Sequence, residues 1–94
     1  MASQNTVLVA GYLIRDVEID ETKGFVRFVL AVERKASPGG TPRTDYLPIS
    51  CTGSNASFAK ANFRKGTNVR ISGEIWTFGK VEWAVVAKKV SIGT

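Results

Sequence analysis

With 94 residues the chain holds one domain, and a domain this small buries only about 60–65% of its unfolded surface, so its core is modest. A single cysteine, Cys51, excludes an intrachain disulfide and multi-cysteine metal sites; the absence of histidine removes His-based acid–base catalysis, Ser-His and Cys-His nucleophile pairs and most zinc chemistry. The formal net charge of +5 suits a polyanionic partner or, more plainly, a solvated basic surface.

Residues 6–14 read as a strand with Gly11 inside it, where a bulge or a close backbone approach is expected. Residues 16–24 are acidic and polar and read as a connecting loop or hairpin. A second strand is predicted over 25–34, with Val26, Phe28, Leu30 and Val32 on one face and Arg27, Val29, Ala31 and Glu33 on the other. Residues 35–44, with their Ser-Pro-Gly-Gly-Thr-Pro core, form a loop that is expected to be mobile. The third strand, 45–52, places Leu47, Ile49 and Cys51 inward and Tyr46, Pro48 and Ser50 outward. Pro48 lacks a ladder donor, which predicts an edge position or a bulge there.

The only helical stretch is 54–66. Ser54 or Asn55 can cap it, Arg64 and Lys65 suit its C-terminal dipole, Gly66 can end it, and Ala59 and Phe63 give it an apolar face. The fourth strand, 68–78, should turn Val69, Ile71, Gly73 and Ile75 inward. A tight hairpin at Phe78-Gly79-Lys80 leads into the fifth strand, 81–92, which is continuously apolar from Ala84 to Ala87. Three strands, a short helix and two further strands are the layout of the OB fold, an all-β, five-stranded Greek-key barrel with one helix between its third and fourth strands. No repeats or low-complexity segments break the single domain, which spans 1–94.

Charge is unevenly placed. Residues 1–45 carry six basic and six acidic side chains; residues 46–94 carry seven basic ones against Glu74 and Glu82. Such a barrel usually passes nucleic acid over its second and third strands, between the loops that follow strands one and four. Arg27 and Tyr46 project from that face, so a cation and an aromatic ring are expected to share one surface. Arg15 ends the first strand, while Arg34, Lys35 and Arg43 flank the second loop.

The last hairpin adds Trp76, Phe78 and Trp83, with Lys80 at its turn. Exposed rings beside cations suit single-stranded nucleic acid, because stacking is worth about 1–3 kcal/mol per base and phosphate contacts supply a salt-dependent remainder. The same three rings equally suit a cross-strand cluster that staples the hairpin, or a subunit interface. Lys88 and Lys89 interrupt the apolar alternation and serve either backbone contact or solvation. Lys60, Arg64 and Lys65 read as helix-end and solubility residues, and Cys51 as a core residue. Nothing resembles a phosphate-binding glycine loop, a carboxylate pair or a metal cluster, so no catalysis, cofactor or metal is expected. No apolar run approaches the roughly 18 to 20 residues of a membrane span, and Met1-Ala2-Ser3-Gln4-Asn5 lacks the features of a secretion signal; a cytoplasmic, nucleoid-associated location is the expectation.

Along nearly its whole length the sequence resembles the bacterial single-stranded DNA-binding proteins. Asn5-Thr6-Val7, Gly11, Leu13 and Arg15-Asp16-x-Glu18 match the family's opening strand and following turn, with Val17 in place of a proline. Phe28-Val29-Leu30-Ala31-Val32 with Arg34, and Thr44-Asp45-Tyr46, match the next two strands. Ala56-x-x-Ala59-x-x-x-Phe63-Arg64-Lys65-Gly66-Thr67, Val69-x-Ile71-x-Gly73-x-Ile75 and Val85-Val86-Ala87-x-x-Val90-x-Ile92 follow in order. The resemblance implies homo-oligomers, tetramers or dimers, that bind single-stranded DNA with little sequence preference in replication, repair or recombination.

It also places Tyr46 where the family has a stacking tryptophan, puts other stacking positions near Ala36 and at Thr52, and leaves the hairpin aromatic as Trp76 or Phe78. With stacking thinner than the family norm, phosphate contacts are expected to carry more of the affinity. The family normally continues into an acidic tail, which does not follow Thr94 here; a shortened chain and a tail-less relative are the two readings. A tail-less OB protein also resembles the primosomal replication protein, which implies an alternative role in replication restart, binding single-stranded DNA together with a helicase or loader.

Overall fold

The computed structural model describes residues 3–36 and 38–93. Its elements are β1 (Val7–Leu13), β2 (Glu18–Asp20), β3 (Phe25–Arg34), β4 (Arg43–Thr52), α1 (Gly53–Asn62), β5 (Asn68–Phe78) and β6 (Glu82–Ile92). The sheet runs β1-β5-β6-β4-β3-β2, and an added β1–β3 pairing closes the five long strands into a barrel. This is the OB architecture expected from the sequence. β2 is the addition: within the segment read as a loop or hairpin, Glu18, Ile19 and Asp20 pair with Arg27, Val26 and Phe25.

Closure depends on two glycines. At Gly11, β1 leaves β5 and turns onto β3, pairing Tyr12 with Ala31 and Leu13 with Leu30. A Cβ on Gly11 would collide with the Ala31 carbonyl, so the close backbone approach anticipated there is what the strand does. Gly73 stands in the same relation to the Val86 carbonyl. The Ser72/Gly73 register shift beside it moves the partner from Lys89 to Ala87, which leaves Lys88 as an extra residue in β6. That bulge explains the interrupted alternation. Val85 and Ala87 face inward, both lysines face out, and Val90 resumes the inner side opposite Ile71.

The core gathers Leu13, Val26, Phe28, Leu30, Ile49, Cys51, Val69, Ile71, Val85 and Ala87, with Ala56, Ala59 and Phe63 from the helical segment. Phe63 meets Phe28 edge-on at 5.6 Å between ring centres. Every buried side-chain polar atom among the described residues has a partner.

Several local expectations need correction. The helix starts at Gly53 and stops at Asn62, not at Gly66; Thr52 occupies its N-cap without a side-chain bond, and neither Ser54 nor Asn55 caps it. Phe63 adopts an extended backbone because its ring must enter the core. Gly66 instead makes the turn whose N–H donates to the Leu13 carbonyl at 2.8 Å. Arg64 does act at the helix end, donating to the carbonyls of Lys60 and Phe63.

β1 is shorter than predicted at both ends, β4 begins two residues earlier at Arg43, and β6 one residue later at Glu82. β4 is not an outer strand, and its pairing with β3 runs without a break past Pro48. Its parallel pairing with β6 begins only at Ile49, so Pro48 ends a stretch that has β3 alone as partner. Ile75, expected inward, is 45% exposed, because the β5–β6 hairpin runs out beyond the barrel wall. Ser37, in the loop expected to be mobile, lies outside the described residues; the remainder of 35–42 forms no helix or strand.

Candidate nucleic-acid interface

The β5–β6 hairpin stays paired out to Phe78 opposite Glu82 and turns through Gly79-Lys80-Val81, where Gly79 has φ +86°. The expected tight turn is therefore present. Alternation puts Trp76 and Phe78 on its outer side, 46% and 49% exposed, and Trp83 on the opposite strand is 39% exposed. Between this hairpin and the outer face of β3 and β4 runs an open groove of about 790 Å³. Arg15, Arg27, Trp76, Phe78 and Trp83 all line it, so five of the residues singled out from sequence meet in one place.

The groove floor comes from β3 and β4. Phe25, Arg27 and Val29 alternate outward on β3, with Ser50 and Pro48 opposite Arg27 and Val29. The Arg27 guanidinium lies 5.5 Å from the centre of the Phe25 ring, in cation–π range. Phe25 escaped the sequence reading, although its parity with Arg27 and Val29 marks it as outward. Thr52, one of the positions mapped from the family resemblance, also lines the groove. Two carboxylates were missed as well: Glu18, opposite Arg27 on β2, and Glu82 at the hairpin tip.

The other expected residues lie elsewhere. Tyr46 is 60% exposed on the same outer face as Arg27, but it pairs with Ala31 while Arg27 pairs with Ser50. Four residues separate the two along the strand, roughly 13 Å, and Tyr46 does not line the groove. Arg34 is engaged: its Nε and one terminal nitrogen donate to both oxygens of Asp45 at 3.0 Å. Lys35 and Arg43 sit exposed at the far end of the β3–β4 pair, where Arg43 opposes Arg34. Lys80 is exposed in the hairpin turn, Lys89 opposes Ser72, and Lys88 stands at the bulge with its ammonium 3.8 Å from Glu74. Cys51 is enclosed, and burial pushes its thiol up to about 12.

Fold and groove together define an OB-fold barrel with an open groove lined by aromatic rings, two arginines and two carboxylates. The chain belongs to the single-strand binding protein family, whose profile matches residues 4–91. A single-stranded DNA-binding protein of Clostridium tetani is 35% identical over 77 residues, 78% of this chain and 53% of that protein, so the chain spans about half the length of the curated relative it matches. Among solved structures the fold is similar to that of a small single-stranded DNA-binding protein from Streptomyces coelicolor, at TM-score 0.78 and 18% identity over 98% of this chain and 95% of that one. It is also similar to the dimeric N-terminal domain of PriB protein from Thermoanaerobacter tencongensis, at TM-score 0.71 and 31% identity over 96% and 97%.

Proposed function

We propose that the chain binds single-stranded DNA with little sequence preference, without catalysis, as a homo-oligomer serving replication, repair or recombination. The observation that carries this reading is the convergence of Trp76, Phe78, Trp83, Arg15 and Arg27 on one groove, a flat-faced and cationic surface on a member of the single-strand binding protein family. Bases stack on the hairpin rings and on Phe25; Arg15 and Arg27 hold phosphates beside them. Tyr46 offers a further stacking face along the β3–β4 surface, with Lys35 and Arg43 at its far end.

Titration with oligo-dT is expected to quench tryptophan fluorescence at micromolar or lower concentration, with log affinity falling against log salt by about 0.7 per phosphate neutralised. Trp76→Ala should weaken binding by about 5- to 150-fold, the value of one stacked base. Unchanged fluorescence and mobility with oligo-dT at low salt would overturn the reading.

The similarity to the PriB domain at 31% identity over nearly both chains favours a second reading, in which DNA is one partner and a replication-restart protein such as a helicase or loader is another. Capture from a bacterial lysate before and after nuclease treatment separates the two. Partners that survive nuclease support the second reading, and partners lost with the DNA support the first.

A further inference from the structure

A second cluster on the β5–β6 hairpin surrounds one of the groove's rings. Trp76 donates its Nε1–H to Glu74 Oε1 at 3.0 Å, and the same carboxylate oxygen lies 3.8 Å from Lys88 Nζ. Lys88 Nζ in turn stands 5.9 Å from the centre of the Trp76 ring, a distance at which a cation is attracted to an indole face. Glu74 and Trp76 are two apart on β5 and share its outer side. Lys88 reaches them because it is the extra residue of the β6 bulge, turned outward together with Lys89. Trp76 lines the groove, whereas Glu74 and Lys88 do not. The cluster therefore holds the indole through groups that are not themselves part of the groove lining.

An indole that is 46% exposed would otherwise choose among rotamers, and ordering it at the moment of binding costs affinity. The geometry points to Glu74 as the positioning residue of this interface: it fixes the Trp76 indole as a groove wall before DNA arrives, and it holds Lys88 beside that ring until a phosphate takes its place on the ammonium. Lysine suits such an exchange, being a compact charge on a flexible stem with no fixed pairing geometry. An exposed ion pair of this length is weak enough to be broken by an incoming phosphate. The inference rests on the single-stranded DNA reading above.

The test uses the full chain with Trp83→Phe as a common parent, so that Trp76 is its one tryptophan. Glu74→Gln keeps a carbonyl acceptor for Nε1–H and loses the negative charge facing Lys88; Glu74→Ala loses both. Without DNA, time-resolved anisotropy should show added fast motion of the indole in Glu74→Ala and not in Glu74→Gln. With oligo-dT, Lys88→Ala in the same parent should flatten the salt slope by about 0.7, the share of the one phosphate that takes Glu74's place on the ammonium. Both Glu74 variants free Lys88, so their difference isolates positioning, and Glu74→Ala should bind about three- to tenfold more weakly than Glu74→Gln, part of the value of one stacked base. Unaltered indole motion in Glu74→Ala overturns the positioning role, and an unaltered slope in Lys88→Ala overturns the exchange with phosphate. If the wild-type chain as well as the parent ignores oligo-dT, the DNA reading fails while the anisotropy still decides whether Glu74 positions Trp76.

Discussion

Cys51 sits opposite Val26 in the β3–β4 ladder with no exposed surface, and burial lifts its thiol from 9.0 to about 12. A thiol reagent at pH 8 should therefore leave the folded protein untouched and modify it at once in denaturant. Linkage gives the sign of the pH effect. Below pH 9 the thiol is protonated in both folded and unfolded chains and contributes no pH dependence. Between pH 9 and about 12 only the unfolded chain releases the proton, so stability falls, with a slope of at most about 1.4 kcal/mol per pH unit. Denaturation curves of the wild type and Cys51→Ala should diverge through that window, and parallel curves would remove Cys51 as the source. The core position of Cys51 was legible from its alternation with Leu47 and Ile49. The carboxylates of the groove were not, because an acidic side chain in a polar stretch looks the same whether it faces solvent or a binding surface.

Among the elements, the β5–β6 hairpin departs most from its pattern. Alternation alone placed Ile75 inward with Val69 and Ile71, yet the strand outruns the barrel at that point. The backbone pairing of β1 with β5 ends at Val7 opposite Gly73; two residues on, the Asn5 side chain takes over, accepting from the Ile75 N–H at 2.9 Å and donating to the Ile75 carbonyl at 2.8 Å. One amide thus does the work of a further residue of strand and steadies the base of the hairpin that carries Trp76. Asn5→Ala should cost about 1 kcal/mol, since two exposed hydrogen bonds contribute little each, and should speed amide exchange at Ile75. Asn5→Asp keeps the acceptor and should protect that amide in part. Unchanged exchange at Ile75 in Asn5→Ala would show that the hairpin holds itself. Sequence placed Asn5 within a family motif but gave no hint of its partner, because the contact spans 70 residues of chain.

At the scale of the molecule, the order of strands and helix was enough to indicate the barrel, while the charge distribution along the chain did not indicate the groove. The entire excess of positive charge lies in residues 46–94, yet both groove arginines, Arg15 and Arg27, come from the balanced half. They share the groove with Glu18 and Glu82. Two arginines set against two carboxylates argue for a shallow salt dependence from the groove, with stacking as the larger contribution there, opposite to the balance the family resemblance led one to expect. On this account Arg27→Ala should flatten the log–log salt slope by about 0.7, the share of one phosphate. Glu82→Gln should tighten binding at low salt, an effect that fades as the Debye length shrinks toward about 3 Å at 1 M. Lys65→Ala, on the helix side and outside the groove, should leave slope and affinity unchanged. Equal losses for Arg27→Ala and Lys65→Ala would mean that DNA responds to the net charge of the molecule rather than to the groove.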